Sequence, residues 1–379
     1  MINIRRTRAV ARKEMLHIFR DPRSLIMALA IPLVMLLLFG YALSLDVDRV
    51  PTVVYDVSRS VESRDLFASF RGSRFFDVVD VVSSYPPIER DINRGRVMMA
   101  VVIPADFSRR VLHGEVADVQ VLVDGSDSNT ASLAIGYAQG VIGRFGARIQ
   151  ARYADAHGAG PLRNPVEMES RVWYNSELKS KNFIVPGLIA VILQVIAALL
   201  TSLTIAREWE LGNMELLLST PLRPTELVLG KMAAFFVIGV ADAVMAVLLG
   251  RFAFGVPLRG GLGLLALSVF VFLFGSLCWG LLVSALARTQ LLAYQMGLLT
   301  SFLPSFLLSG FIYAIENMPA AVQVFSYIVP SRYFIAMLQG IFLKGVGLEI
   351  LWPPLLLLTV YAGVVFTVAS KRLSQKLVP

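Results

Sequence analysis

The stretch Arg207–Lys231 reads REWELGNMELLLSTPLRPTELVLGK and separates two long apolar runs. A chain that only turned back into a membrane here would not need so many charged side chains. The segment holds four carboxylates and three basic groups, namely Glu208, Glu210, Glu215, Glu226, Arg207, Arg223 and Lys231. We therefore interpret residues 207–231 as a docking element for a cytosolic partner.

The same segment carries an apolar stripe. Leu211, Met214, Leu217 and Leu218 are spaced by three, three and one residues. That spacing puts the stripe on one side of a helix. Such a helix, held at the membrane surface, suits contact with another protein.

The rest of the chain is that of a membrane protein. Of its 379 residues 56% are hydrophobic and only 16% are charged, which lies outside the range of soluble domains. Runs with at most one charged residue are each long enough to cross a bilayer. They predict six transmembrane helices over 24–45, 182–206, 232–250, 262–286, 291–313 and 350–370.

The distribution of basic residues predicts the orientation. With the N-terminus inside, the inner segments hold fourteen Lys and Arg residues and the short outer loops hold four. Basic residues favour the cytosolic side, so both ends, including the tail 371–379, are expected in the cytosol. The net charge of +8 comes from the basic residues on the cytosolic side of the membrane. We therefore expect no nucleic-acid partner.

Residues 46–181 are expected to form an extracytoplasmic α/β domain. Val-rich runs at Pro51–Asp56, Phe76–Val82, Val97–Ile103 and Val119–Val123 alternate with shorter helical patterns, which is typical of βαβ units. A long helix is predicted from about 128 to 156. The run from Asp124 to Asn129 is interpreted as a turn and helix start rather than a calcium loop, because the Gly and Glu of such a loop are missing.

Two further segments have their own patterns. Residues 1–23 predict an interfacial helix with Ile4, Val10, Ile18 and Phe19 on its apolar face and basic residues near lipid headgroups. Residues 314–349 hold two apolar stretches too short to cross, divided by Pro330. We expect a re-entrant hairpin packed against protein; the alternative is a pair of helices lying flat on the outer surface.

No energy source is visible in the sequence. Gly230-Lys231 lacks the remainder of a phosphate-binding loop, and no histidine lies in a hydrolase motif. We expect no catalytic residues, no metal site and no cofactor bound by this chain. The single cysteine, Cys278, excludes an intrachain disulfide.

One ionisable group, Asp242, falls at membrane depth. Such carboxylates are costly and often functional. We expect either structural hydrogen bonding or direct contact with substrate or an ion, with Gln194, Gln295 or another subunit as its partner. Pro304 is expected to kink the fifth span near the same pathway.

Two blocks of sequence resemble the ABC-2 type transporter permeases. The first is Arg207–Glu215 with Thr220–Pro224 and Glu226–Lys231; the second includes Ser309–Phe311, Glu316–Pro319, Pro330, Tyr333-Phe334 and Gly340–Gly345. The resemblance extends over essentially the whole chain and is greatest to a bacterial drug-export subgroup with a large periplasmic domain. Trp209 and Asn213 depart from the usual first block, which affects partner choice rather than docking.

The resemblance implies a permease subunit in a bacterial inner membrane, driven by a separate ATP-binding cassette subunit that uses ATP and Mg²⁺. It also implies that the segment near Glu208–Ser219 is a coupling helix seated in a groove of that subunit. It implies a dimer with a second copy or a related permease, and outward transport of a drug-like or lipid-like substrate. A periplasmic adaptor and export of an envelope lipid or polymer precursor stay open. The implied coupling residues are Arg207, Glu208, Glu210, Gly212, Met214, Glu215, Leu217, Leu218 and Pro221; those of the re-entrant region are Glu316, Asn317, Pro319, Pro330 and Tyr333.

Two other functions fit the sequence less well. A membrane-anchored sensing module does not need six spans. A membrane-embedded enzyme needs intramembrane His, Lys or paired carboxylates, which the predicted spans lack.

Overall fold

The computed structural model describes residues 3–42, 49–126, 128–156, 174–175, 179–287 and 289–377. Two compact units are present: Met1–Ser44 with Val172–Pro379, and Leu45–Arg171. The helices and strands are numbered along the chain as α1 (Ile4–Arg20), α2 (Pro22–Ala42), β1 (Val50–Asp56), α3 (Val61–Arg71), β2 (Phe76–Val82), α4 (Pro86–Asn93), β3 (Met99–Ile103), α5 (Phe107–Leu112), β4 (Gln120–Val123), α6 (Ser128–Ala156), α7 (Ser180–Glu210), α8 (Asn213–Leu218), α9 (Pro224–Phe252), α10 (Leu262–Leu286), α11 (Gln290–Leu307), α12 (Ala320–Ser326), α13 (Pro330–Gln339) and α14 (Leu348–Leu377).

The unit of residues 45–171 is built on a four-stranded sheet in the order β2-β1-β3-β4. β1 is parallel to both neighbours, and β4 is antiparallel to β3. Successive side chains of a strand point to opposite faces. Val54 accordingly packs with Leu66 and Phe145, whereas Val53 packs with Ile88 of α4. Helices therefore cover both faces, and all four runs predicted as strands are strands.

A tight turn follows β4, as the sequence predicts. The Asp124 carboxylate accepts hydrogen bonds from the Ser126 backbone N–H (2.9 Å) and hydroxyl (2.6 Å). These bonds lower the pKa of Asp124. The remainder of that predicted run includes Asp127, which lies outside the described residues.

Among the described residues of the other unit, four helices are long and apolar enough to cross a membrane: α7, α9, α10 and α14. A fifth crossing is formed if α12 and the segment Pro330–Lys344, bent by 83° relative to each other, count as one broken span. The protein is thus a mostly helical, polytopic membrane protein. The predicted first span corresponds to α2, whose apolar part is Ala28–Ala42.

Several predicted boundaries are corrected. The span expected over 291–313 ends at Leu307, because Ser309–Tyr313 is irregular and Gly310 takes a left-handed conformation with φ of +84°. The spans expected over 182–206, 232–250 and 350–370 belong to longer helices. Because helical hydrogen bonding continues past the apolar run, α14 also includes most of the predicted tail.

The helix α7 is the centre of this unit and packs against α2, α9, α10, α11 and α13. α10 approaches it closely at Gly280, where a Cβ would collide with the Ala198 carbonyl and the Thr201 hydroxyl. The Thr201 hydroxyl donates to the Leu277 carbonyl at 2.9 Å. The Ser284 hydroxyl accepts from the backbone N–H of Ile205. These contacts hold α7 and α10 together.

The segment 314–349 contains two different helices. α13 is buried through Phe334, Met337 and Leu338, and its Tyr333 hydroxyl donates to the Tyr327 carbonyl at 2.6 Å. α12 instead exposes Val324, Phe325 and other apolar groups. The predicted residues Glu316 and Asn317 lie in a 3₁₀ turn, Pro319 precedes α12, and Pro330 begins α13. The buried α13 meets the packing requirement of a re-entrant hairpin, which stays a prediction.

Candidate functional site

The segment 207–231 includes the end of one helix, the whole of a second and the start of a third. α7 continues to Glu210, α8 begins at Asn213, and α9 begins at Pro224. Gly212 divides the first two with φ of +73°, a conformation that favours glycine. The single helix expected over 208–219 is therefore wrong.

The division at Gly212 also changes the apolar stripe. Met214 is 1% exposed and joins the core, but Leu211 is 59% exposed on the other side of the turn. Leu216, outside the predicted stripe, is 70% exposed. Leu211 was misplaced because a three-residue spacing fixes a face only within one unbroken helix. The side chains of Leu217 and Leu218 lie outside the described residues.

Two residues of this segment belong to a cluster of four charges, which we call the ion cluster: Lys13, Glu14, Glu208 and Lys231. Three of them are buried, and Lys13 is half-exposed. Lys231 Nζ lies 2.8 Å from Glu14 Oε1 and 3.3 Å from Glu208 Oε1. Lys13 Nζ lies 2.7 Å from the same Glu208 oxygen. The side chains of Lys231 and Glu14 are 2% and 7% exposed. Two positive and two negative groups therefore neutralise one another and join α1, α7 and α9.

The ion cluster corrects two expectations from the sequence. Glu208 was expected to face a partner, but its residue is 8% exposed and its carboxylate is turned inward. Glu14 was missed altogether, because its partner Lys231 is 217 residues away along the chain. The only local signal was its position four residues from Val10 and Ile18 on the buried face of α1.

Lys13 is the half-exposed member of the ion cluster. Partial burial favours its neutral form, but the hydrogen bond to Glu208 and the charge of Glu14 outweigh that effect and raise the pKa of Lys13 above its ordinary value. Its charged form therefore stabilises the folded protein at neutral pH. That contribution declines only as the pH rises through this raised pKa.

The N-terminal helix α1 packs along the start of α9. Val10 lies so close to Gly230 that a Cβ there would be 2.6 Å from the Val10 Cβ. Glu226 accepts hydrogen bonds from the backbone N–H groups of Asn3 (2.8 Å) and Arg223 (3.1 Å). The predicted apolar face of α1 is half right: Val10 and Ile18 are buried, whereas Ile4 and Phe19 are 79% and 63% exposed.

Five of the predicted coupling residues lie on the surface, namely Arg207, Glu210, Gly212, Glu215 and Pro221. Glu210 accepts from the backbone N–H (2.9 Å) and side-chain amide (3.1 Å) of Gln290, so it ties the end of α7 to the start of α11. Together with the exposed Leu211 and Leu216 they form a mixed charged and apolar surface, which we call the coupling surface. This composition is typical of a protein contact.

Asp242 makes no hydrogen bond to either of the amides predicted as its partners. The Asp242 residue is 1% exposed, and neither of its oxygens has a hydrogen-bond partner among the described residues. Gln194 accepts instead from the Ser276 hydroxyl at 2.7 Å, and Gln295 is exposed. The two amides predicted to bind Asp242 are thus wrong as partners. Pro304 lies inside α11, as expected.

Among the described residues, no group of three or more His, Cys, Asp or Glu side chains is placed to hold a metal ion. Lys231, part of the incomplete phosphate-loop sequence, is instead engaged in the ion cluster.

Known proteins of similar sequence are transporter permeases. The probable multidrug ABC transporter permease YbhS of Escherichia coli (strain K12) is 37% identical over 91% of this chain and 90% of its own length. The probable multidrug ABC transporter permease YbhR of the same organism is 31% identical over 93% of this chain and 94% of its own length. The inner membrane transport permease YhhJ is 32% identical over 85% of this chain and 84% of its own length. The family model for the ABC-2 family transporter protein matches residues 22–371, and the chain belongs to that family of transporter permeases.

Proposed function

We propose that this chain is the membrane-spanning subunit of an exporter in a bacterial inner membrane, driven by a separate ATP-binding cassette subunit. It moves a hydrophobic or amphipathic, drug-like substrate outward. Its six spans are α2, α7, α9, α10, α11 and α14, and the segment of α12 and α13 forms a re-entrant hairpin on the outer side. Both termini lie in the cytosol, and residues 46–181 lie on the outer side. The names of YbhS and YbhR support a drug-like substrate.

The observation that carries this proposal is that the coupling surface and the ion cluster meet at the end of α7, where Glu208 is buried and Glu210 and Leu211 are exposed. Glu215 and Leu216 on α8 face outward, while Met214 of the same helix is buried. A partner bound there contacts apolar and acidic groups at once, as good interfaces require. α8 then serves as the point where force enters the permease.

Force applied at α8 has a structural route into the spans. The ion cluster connects the end of α7 to α1 and α9. Glu210 connects the same end to α11. α7 in turn packs against α10 and α13. ATP-driven closure of two partner subunits would move these helices as one body in each half of a permease dimer, and the two halves would rock from inward to outward facing.

The dimer consists of two copies of this chain or of this chain with a related permease. In either case the isolated chain uses no ATP of its own. Mg²⁺ and ATP belong to the partner subunit, and transport requires both components.

Replacing Leu216 by Asp tests the coupling surface. The side chain is 70% exposed, so the fold has no reason to change, but a carboxylate in the apolar part of an interface costs binding. We expect L216D to abolish copurification of the ATP-binding cassette subunit with this chain, and with it ATP-dependent uptake into inverted vesicles. A control variant, Leu112→Asp on α5, changes a side chain that is 61% exposed in the other unit. This control should keep copurification and ATP-dependent uptake at the wild-type level. If L216D keeps both as well, the coupling surface is not the docking site.

A further inference from the structure

A cleft of about 900 Å³ lies within the unit of residues 45–171, between α3, the start of β2 and α6. Small-molecule sites usually have volumes of about 300 to 1,000 Å³. The cleft is formed entirely within this unit. It is independent of the coupling surface and of the direction of transport.

The cleft is strongly basic. Arg74, Arg144, Arg148 and Arg152 line it, and Asp65 is the only carboxylate among the lining residues. Asp65 lies 3.2 Å from Arg152, which leaves three positive charges without a counter-charge in the cleft. The sequence of residues 46–181 holds 17 basic and 18 acidic residues. The positive charge is therefore concentrated at this cleft within a nearly neutral part of the chain.

Three of these arginines recur at intervals of four residues on α6, namely Arg144, Arg148 and Arg152. Like charges at this spacing lie on one face of a helix and destabilise it by a few tenths of a kcal/mol per pair. An anion bound between them removes that repulsion. The arrangement is thus unfavourable in an empty cleft and favourable in an occupied one.

Aromatic rings and aliphatic side chains supply an apolar lining. The Phe75 ring stacks on Tyr137 with a centroid separation of 4.2 Å, and the Arg74 guanidinium lies 4.9 Å from the Phe75 centroid. The Arg148 guanidinium lies 5.9 Å from the Phe145 ring and donates to the Ser69 hydroxyl at 2.7 Å. These contacts hold basic groups beside flat apolar surfaces before any ligand arrives.

Two arginines keep donors for a ligand. Arg144 donates its Nε–H to the Gly140 carbonyl at 3.1 Å, and its terminal amino groups have no hydrogen-bond partner among the described residues. The described contacts of Arg74 include the Phe75 ring and no hydrogen bond. Guanidinium groups with free donors bind carboxylate, sulfonate and phosphate groups through paired hydrogen bonds.

We propose that this cleft is a binding site for an amphipathic organic anion. Arg74 and Arg144 hold its acidic group, and its apolar body lies against Phe75 and Phe145. Arg148 and Arg152 are fixed by Ser69 and Asp65 and keep the cleft positive.

The probe is 2-naphthoate, which combines a carboxylate with a flat apolar body. The full-length chain is placed in nanodiscs of phosphatidylcholine, and binding is measured by equilibrium dialysis against empty nanodiscs. We expect saturable binding of one 2-naphthoate per chain. The neutral 2-naphthamide should bind about tenfold more weakly or worse, because charge-assisted hydrogen bonds are lost.

Matched variants locate the site. Arg74→Gln with Arg144→Gln should weaken 2-naphthoate binding by about tenfold or more. Arg90→Gln with Arg94→Gln removes the same charge from α4 and its C-cap, away from the cleft, and should leave binding unchanged. Ala147→Glu keeps all four arginines but places a carboxylate at an exposed position that lines the cleft. This carboxylate should repel 2-naphthoate and abolish its binding.

Four results would overturn the proposal. They are an absence of saturable 2-naphthoate binding, an equal loss in both arginine pairs, inorganic phosphate displacing 2-naphthoate at equal concentration, and hexaglutamate binding in preference to it. Displacement by phosphate would show that the apolar lining has no role. Preference for hexaglutamate would show that the cleft receives an acidic protein segment.

Discussion

Lys231 shows how much depends on single residues in this chain. It follows a glycine at the edge of a long apolar run, where a basic residue ordinarily reaches water. Here it is 2% exposed and lies within 3.3 Å of two carboxylates on different helices. Buried charges persist when they are paired, so the ion cluster requires all of its members together. Glu208 consequently belongs to the interior of the coupling segment, and Glu215 to its surface.

Lys231→Met tests the ion cluster. Removing one partner of a buried ion pair typically costs about 3 to 5 kcal/mol, so the thermal midpoint of the purified chain should fall by about 5 °C or more. The measurement is tryptophan fluorescence during heating in detergent.

Two further variants control this test. Lys371→Met changes an exposed lysine on α14 and should leave the midpoint unchanged. Lys231→Met with Glu14→Gln should recover part of the loss, because one unpaired buried charge is removed with it. Equal midpoints for K231M and K371M would show that the cluster contributes nothing to stability.

The elements divide into those that local sequence patterns predict and those that they do not. The strands β1 to β4 and the helix α10 were predictable, because Val-rich runs and an apolar run with clear limits determine them locally. The break at Gly212 and the end of α11 near Gly310 were missed, because both glycines lie in apolar patterns that favour a continuous helix. The pairing of Glu14 with Lys231 has no local signal, since only the packing of α1 on α9 brings the two together.

The contact between α7 and α10 gives a prediction at this scale. Gly280→Ala places a Cβ against the Ala198 backbone and the Thr201 hydroxyl. Overpacking of this kind costs about 1 to 3 kcal/mol, and the loss should appear as a lower unfolding midpoint. Gly363→Ala on α14 adds the same methyl group where nothing lies within 4 Å, and it should keep or raise the midpoint. The prediction fails if the two variants unfold alike.

At the scale of the whole molecule, the chain is a transporter permease made of a helical membrane unit and a unit built on a β-sheet. The proposed mechanism requires the coupling surface and the sheet-containing unit to lie on opposite sides of the membrane. The fourteen-to-four distribution of basic residues predicts that orientation. Labelling from each side of the membrane tests this orientation.

Single cysteines test the orientation. With Cys278, which is buried, replaced by Ser, Val116→Cys places a thiol at a position that is 81% exposed in the unit of residues 45–171, and Leu216→Cys places one on α8. A membrane-impermeant maleimide should label V116C in intact spheroplasts and L216C only after permeabilisation. The reverse pattern would invert the proposed topology and remove the docking role of α8.

The central claim is that an ATP-binding cassette subunit docks at α8. Its most direct test is site-specific photocrosslinking from position 216 in cells that make this partner protein. A benzophenone amino acid at Leu216 should capture that protein, whereas the same group at Leu112 should not. Capture should change in yield when ATP hydrolysis is trapped, because the partner subunits then close. If position 216 captures no ATP-binding subunit while ATP-driven transport continues, the partner acts elsewhere and the account is wrong.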